Sequence, residues 1–217
     1  MLPEGTGQEE LRRLAEELER NPGSARAHLR LGTMLQKARQ GGEAERHLRR
    51  AVELDPDLYE AWVNLGGVLF ARWDFAGSAE ISRKAVACRP TAVQAHYNLG
   101  LACLYMGQAA EVVDCFRRVV ELDPENAGGH YYLAAGLNSL GKVAAAKLSL
   151  LKSESLGFHP EPELIRAIDD ALRKEGGEGV LTMEIGDGPE AGKGSPPRRS
   201  SITLNQENTD AHVHIRK

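Results

Sequence analysis

The sequence predicts an all-α fold, a solenoid of helix–turn–helix repeats ending in a capping helix and a disordered C-terminal tail. The first observation behind it is a recurrence at 34 residues: Pro22, Pro56, Pro90 and Pro124; Leu31, Leu65, Leu99 and Leu133; Gly32, Gly66, Gly100 and Ala134. The second is composition. Ala, Leu, Glu and Arg dominate and aromatics make up 5% of the 217 residues, a balance whose side chains lose little rotamer freedom in a helix. The third is punctuation: a proline closes each unit, and Gly41-Gly42, Gly107 and Gly141 stand where a unit would break into two helices.

The elements follow in order. Residues 1–24 hold a leading helix, with 7–21 read as the second helix of an incomplete unit. Four units occupy 25–58, 59–92, 93–126 and 127–160. Helix starts are expected at capping-box spacings, Thr6 with Glu9, Asp57 with Glu60, and Thr91 with Gln94. Small residues in the Gly32 series and in Ala44, Ser78, Val112 and Ala146 let the two helices of a unit approach. Large residues at Leu48, Phe116 and Leu150 fill the space between them and the next unit. The second unit departs from this rule, with Ser78 and Ser82 at a small apolar and a large position and Trp73 where later units have glycine; it reads as a degenerate but folded repeat, with local looseness or a special surface around Trp73 as the alternatives. Residues 161–175 form a cap, its helix over 162–174 gathering Leu164, Ile165, Ile168, Ala171 and Leu172 on one face.

From Gly176 to Lys217 the composition turns to Gly, Pro, Ser and mixed charge, which predicts a flexible tail. It carries three β-prone runs, VLTMEI, SITL and HVHI, suited to a partner's sheet edge or to the protein's own groove. RRSS places two arginines before Ser201, a candidate phosphorylation site.

Several function classes are not expected. The net charge is −4 without a basic stripe, so nucleic acid is not a partner. Cys88, Cys103 and Cys115 are odd in number and lack CxxC spacing, so neither a disulfide framework nor a zinc site is implied, and Cys103 reads as a buried core residue. His28, Trp62, His96 and His130 share one repeat position; a slot that takes Trp as readily as His wants a flat, partly buried ring rather than a metal ligand. No catalytic constellation or phosphate-binding loop is present, and no cofactor is expected. The start has no secretory apolar run and no run is long enough to span a bilayer, so a soluble cytoplasmic protein is expected.

With WVNLGGVL in the second unit, HYNLGLAC in the third, LDP at 54–56 and 122–124, and four units in register, residues 25–160 resemble the tetratricopeptide repeat (TPR) family. The resemblance implies a right-handed superhelix whose first helices line a concave groove. Helical spacing then puts Arg30 and Lys37 at a basic lip with Arg26, and Asn64, Phe70, Tyr97, Asn98, Leu101, Tyr105, Tyr131, Tyr132 and Asn138 along the groove. The tyrosines read as an aromatic floor, and Asn64 and Asn98 as a pair able to hold a peptide backbone. Co-chaperone members of the family grip a C-terminal carboxylate with two Lys, an Arg and two Asn. Here Leu29, Thr33, Asn64, Gln94 and Asn98 stand at those places, so only Asn64 is kept and that function is not expected.

The expected function is a non-catalytic adaptor holding a peptide segment or helix of another protein. Two readings stay open beside it: a chaperone or assembly factor for a secretion or pilus system, and a self-associating structural scaffold.

Overall fold

The computed structural model describes residues 4–174, 180–183 and 200–203. Its helices are α1 (Glu4–Arg20), α2 (Ala25–Lys37), α3 (Gly41–Leu54), α4 (Tyr59–Ala71), α5 (Phe75–Cys88), α6 (Val93–Tyr105), α7 (Ala109–Leu122), α8 (Ala127–Ser139), α9 (Val143–Ser155) and α10 (Pro162–Lys174). Short turns join α2 to α3, α4 to α5, α6 to α7 and α8 to α9 as helix hairpins, and each hairpin packs on the next. Two short strands, β1 (Val180–Met183) and β2 (Ser200–Thr203), pair antiparallel with Leu181 opposite Ile202. Thus VLTM and the SIT of SITL meet each other, and Ser201 lies in β2 opposite Thr182. The HVHI run, His212 and His214 lie outside the described residues.

One clamp opens every hairpin. The ring N–H of Trp62 donates to the Pro56 carbonyl at 2.7 Å, and Nε2–H of His96 and His130 donate to Pro90 and Pro124 at 2.9 and 3.0 Å. His28 repeats the bond to Pro22 at 3.3 Å. This puts the proton on His28 Nε2 and leaves Nδ1 to accept from His47 Nδ1–H at 2.9 Å. The shared need is a ring donor six residues after proline, which both Trp and neutral His supply.

These clamps predict a pH dependence. Burial, then the neighbouring His28 and Arg46, hold His47 below its ordinary value against Glu43. Burial does the same to His130, with Lys152 lowering it further and the Pro124 carbonyl, Glu125 and Asp123 opposing. The unfolded chain therefore takes up these protons first, and stability falls as pH drops below about 6.5. Glu80 and Glu111, lowered chiefly by bonds from Lys84 and Arg83, keep their contribution above the ordinary carboxylate value and lose it only as pH falls below that value. Urea midpoints should decline between about pH 7 and pH 5; a flat profile would show that the rings carry the same proton affinity in both states.

Close approach inside each hairpin rests on the small series. A methyl carbon at Gly32 would lie 2.7 Å from Leu48 Cγ, and one at Gly100 would lie 2.6 Å from Phe116 Cε2. In α4 and α5 the same contact is made by serines. Ser78 Oγ–H donates to the Gly66 carbonyl at 2.9 Å, whereas the Ser82 hydroxyl is buried without a partner. The second unit is thus closed rather than loose, at the cost of one orphaned hydroxyl.

The hairpin turns correct the glycine reading in the first unit. Gly107 and Gly141 take the left-handed conformation, with φ of 71° and 70°. The equivalent residue in the first turn is Arg39 at φ 61°, and in the second Trp73 at φ 65°. Gly41 and Gly42 instead begin α3, where the Arg72 side chain lies over them. A left-handed residue with a Cβ costs about 1–2 kcal/mol. Trp73→Gly should therefore raise stability by about 1 kcal/mol, read as a shift in urea midpoint at constant slope. No gain would mean that the contact of Trp73 with Phe75, centroids 6.0 Å apart, offsets the strain.

Helix starts need a second correction. Thr6 lies inside α1, and α4 and α6 begin after Leu58 and Ala92 without side-chain caps. Asp55 Oδ1 accepts the Asp57 N–H, and the Ala92 N–H bonds to Arg89, so local turns delay both starts. The side-chain caps are Ser24 on Ala27, Asp74 on Gly77 and Asn126 on Gly129.

The core runs along the seams between helices. One cluster spans α2 to α5 around Leu48 and Leu65, and another spans α5 to α10 around Phe116; between them Ala85, Ala92 and Ala95 form a thin layer. The end of the array closes on α10: Ile168 is fully buried, and Lys147 Nζ reaches Asp169 Oδ1 at 2.7 Å.

Candidate partner-binding groove

The inner row consists of α2, α4, α6 and α8, and bonds from one to the next show which side chains meet there. Asn64 Nδ2 donates to Thr33 Oγ1 at 2.9 Å, and that hydroxyl donates to the Leu29 carbonyl at 2.8 Å. Asn98 Nδ2 donates to the Val63 carbonyl at 3.1 Å, while its Oδ1 accepts from Gln94 Nε2 at 2.8 Å. The two asparagines are therefore not equivalent. Asn98 is buried: its Nδ2 ties α6 to α4, and its Oδ1 is taken up by Gln94 of its own helix. Asn64 is half-buried, and among the described residues its Oδ1 has no bonded partner.

The aromatic residues divide in the same way. Tyr97 meets the buried Phe116 edge-on at 5.3 Å, and Tyr132 stacks on Phe116 at 5.0 Å. Both tyrosines belong largely to the packing between the third and fourth hairpins. Burial, with the Tyr132 hydroxyl beside it, pushes the Tyr97 phenol up to about 12. Gly128 makes this possible, because a methyl carbon there would sit 2.9 Å from the Tyr97 hydroxyl. Tyr131 leans on Phe158 at 4.7 Å and on Tyr132 at 5.1 Å. Burial raises the phenols of Tyr131 and Tyr132 as well.

Phe70 and Tyr105 are drawn to a different place. Tyr105 stacks on Phe75 at 4.6 Å and meets Phe70 edge-on at 5.3 Å, at the rim where α4 and α6 end. At the basic lip, Arg30 is paired with Glu10 of α1 at 2.9 Å, while Arg26 and Lys37 are exposed. Leu101 and Asn138 are half-buried on α6 and α8.

Helical spacing also puts Gly67, at the middle of α4, on this row, whereas its neighbour Gln36 is missing from the sequence reading. Gly67 leaves the floor open between Gln36 and Asn98: a methyl carbon there would be 3.5 Å from Gln36 Nε2 and 3.8 Å from Asn98 Nδ2. Gln36 stands 34 residues before Phe70, so the repeat register pointed to it. A shallow depression of about 420 Å³ lined by His28, Arg46, His47, Arg49, Arg50 and Glu53 belongs to α2 and α3 and is separate from this row.

A tetratricopeptide repeat model matches residues 93–126, and a second model of the same repeat matches 35–93. Residues 35–126 are tetratricopeptide repeats.

Solved TPR-fold structures agree with the assignment. MamA from Desulfovibrio magneticus RS-1 is 23% identical, with a TM-score of 0.64 over 70% of this chain and 86% of that one. YrrB, described as a TPR protein with an unusual peptide-binding site, is 16% identical, with a TM-score of 0.67 over 75% and 84%. PilF of Pseudomonas aeruginosa is 19% identical, with a TM-score of 0.67 over 80% and 78%. No curated protein matches the sequence. The TPR array is a right-handed solenoid of a kind that serves as a protein-interaction scaffold. No described helix is long and apolar enough to cross a membrane.

Proposed function

We propose that this TPR protein is a non-catalytic adaptor that holds a segment of another protein along α2, α4, α6 and α8. The observation that carries the reading is the centre of the inner row. There Gly67 withholds a side chain between the Gln36 and Asn98 amides, and Asn64 offers a carbonyl oxygen that nothing in the array uses. An extended backbone laid over Gly67 finds donors and acceptors independent of its own side chains, flanked by the half-buried Val63, Phe70 and Leu101. YrrB, whose fold is similar, is described by its peptide-binding site, and the same class of ligand suits this centre.

The test is affinity capture from source lysate with the full chain beside its Gly67→Leu variant, read by mass spectrometry. Gly67 has room for a Cβ at ordinary contact distances, and replacing a mid-helix glycine stabilises α4 by up to about 1 kcal/mol. The variant thus fills the groove without unfolding it. A protein retained by the native chain and lost from the variant supports the reading. Identical captures overturn it.

A further inference from the structure

We propose a second docking surface outside the groove, on the edge formed by the turns of the first two hairpins. Its occupant is an acidic segment of a partner protein that carries an aromatic or long aliphatic anchor.

The apolar half of the argument is a run of rings. Trp73 is 76% exposed and Tyr105 is 56% exposed, and Phe75 lies between them at 6.0 and 4.6 Å. A tryptophan standing that far into water at a turn is the kind of exposed apolar group that marks a contact site. Its backbone strengthens the point. The third and fourth turns relieve their left-handed residue with Gly107 and Gly141, whereas the first two hold Arg39 and Trp73 in the same conformation. The strain puts one cation and one large ring on view at equivalent places of adjacent hairpins.

The second half is charge. The whole chain is net −4, and this edge carries Glu43, Glu45 and Asp74, yet two of its cations stand without an ion pair among the described residues. Lys37, the last residue of α2 and so shared with the end of the groove's lip, and Arg39 in the turn are exposed and have no ion pair among the described residues. Arg72 lies across Gly41 and Gly42 and pairs with Glu45 at 3.0 Å. The acid in the second turn, Asp74, has its Oδ1 on the Gly77 N–H as the cap of α5. A segment with Asp or Glu beside an apolar side chain meets both features: its anchor covers Trp73 and its carboxylates take charge-assisted bonds from Lys37 and Arg39. The pattern fits a side-chain anchor better than a flat lipid surface. The exposed rings are gathered at one point, and the next turn along the edge holds Gly107 rather than another apolar tip; Leu140, 38% exposed, stands apart beside the fourth turn.

The experiment probes an array of immobilised random short peptides with the full chain. The peptides it binds should combine Asp or Glu with Trp, Phe or Leu, and their affinity should fall at least about tenfold with Trp73→Gly. That variant relieves strain, so its loss of binding does not reflect unfolding. Arg39→Gly should weaken binding less and flatten its salt dependence, and Gly67→Leu should leave it unchanged, which separates this surface from the groove. Bound peptides without acidic enrichment, or affinity unaffected by Trp73→Gly, would overturn the proposal. So would binding to phosphatidylserine vesicles, or a concentration-dependent dimer, that disappears in Trp73→Gly; these would assign the edge to a membrane or to a second copy.

Discussion

Phe116→Ala is expected to destabilise the array by about 3–5 kcal/mol, the range for emptying a fully buried aromatic site. Phe116 has no exposed surface, and its ring is held by Tyr97 edge-on, Tyr132 in a stack, and α6 at Gly100. Removing it leaves a void between the third and fourth hairpins that these neighbours cannot close, because Tyr97 is itself threaded over Gly128. Since each hairpin is stabilised mainly by its neighbours, loss at this seam should spread along α6 to α8 and appear there first as faster amide exchange. Urea unfolding measures the total. A second readout is spectroscopic: water entering the void should bring the Tyr97 phenol down from about 12 towards its ordinary value, seen in the tyrosinate absorbance. A loss below about 1 kcal/mol would show that the seam recloses and that Phe116 is not its keystone.

The second large effect is a contrast within one repeat position. Gly100→Ala places a methyl carbon 2.6 Å from Phe116 Cε2 and 3.0 Å from Cδ2 and Cζ, and the ring has no free side to retreat to. The expected cost is about 1–3 kcal/mol, net of a helix gain near 1 kcal/mol. Gly66→Ala makes the equivalent change in α4 but meets the Ser82 hydroxyl at 2.8 Å, a group that can rotate and has no bond to lose. That substitution should be neutral or stabilising by up to about 1 kcal/mol. Thermal melts of the two variants decide the matter, and equal losses would refute the packing account. The pair Gly100→Ala with Phe116→Ala should cost less than the sum of its parts, because the second change removes the first change's clash.

The fold was legible in the sequence because the repeat states the same packing problem four times. Leu31, Gly32 and Pro22 mean little alone, but their recurrence at 34 residues identifies the hairpin, its close approach and its stop. The cap was equally plain, since Leu164, Ile165 and Ile168 fall on one face at helical spacing. The capping boxes at Thr91 and Asp57 failed for a local reason: turns at Arg89–Ala92 and Asp55–Asp57 satisfied the backbone first and moved the helix starts. Gly41 and Gly42 misled for a different one, because a glycine signals freedom whether it serves a left-handed turn or makes room for Arg72.

The inner surface was legible only as a row. Periodicity placed Asn64, Asn98, Tyr97 and Tyr105 on the same side of their helices, and that is as far as a single helix can speak. Whether such a side chain is free depends on the neighbouring helix, whose distance and rotation are set by packing across the seam. Asn98 finds the Val63 carbonyl and Tyr97 finds Phe116, so both turn inward. Asn64 keeps its carbonyl oxygen open, and Tyr105 is carried to the rim beside Phe75. By itself, then, the sequence determined the helices, their order and their small and large positions, all of which follow from local spacing. Only the tertiary structure decided which inner residues are structural and which remain open to a partner, because hydrogen bonds and ring contacts between units depend on distances that no one unit contains.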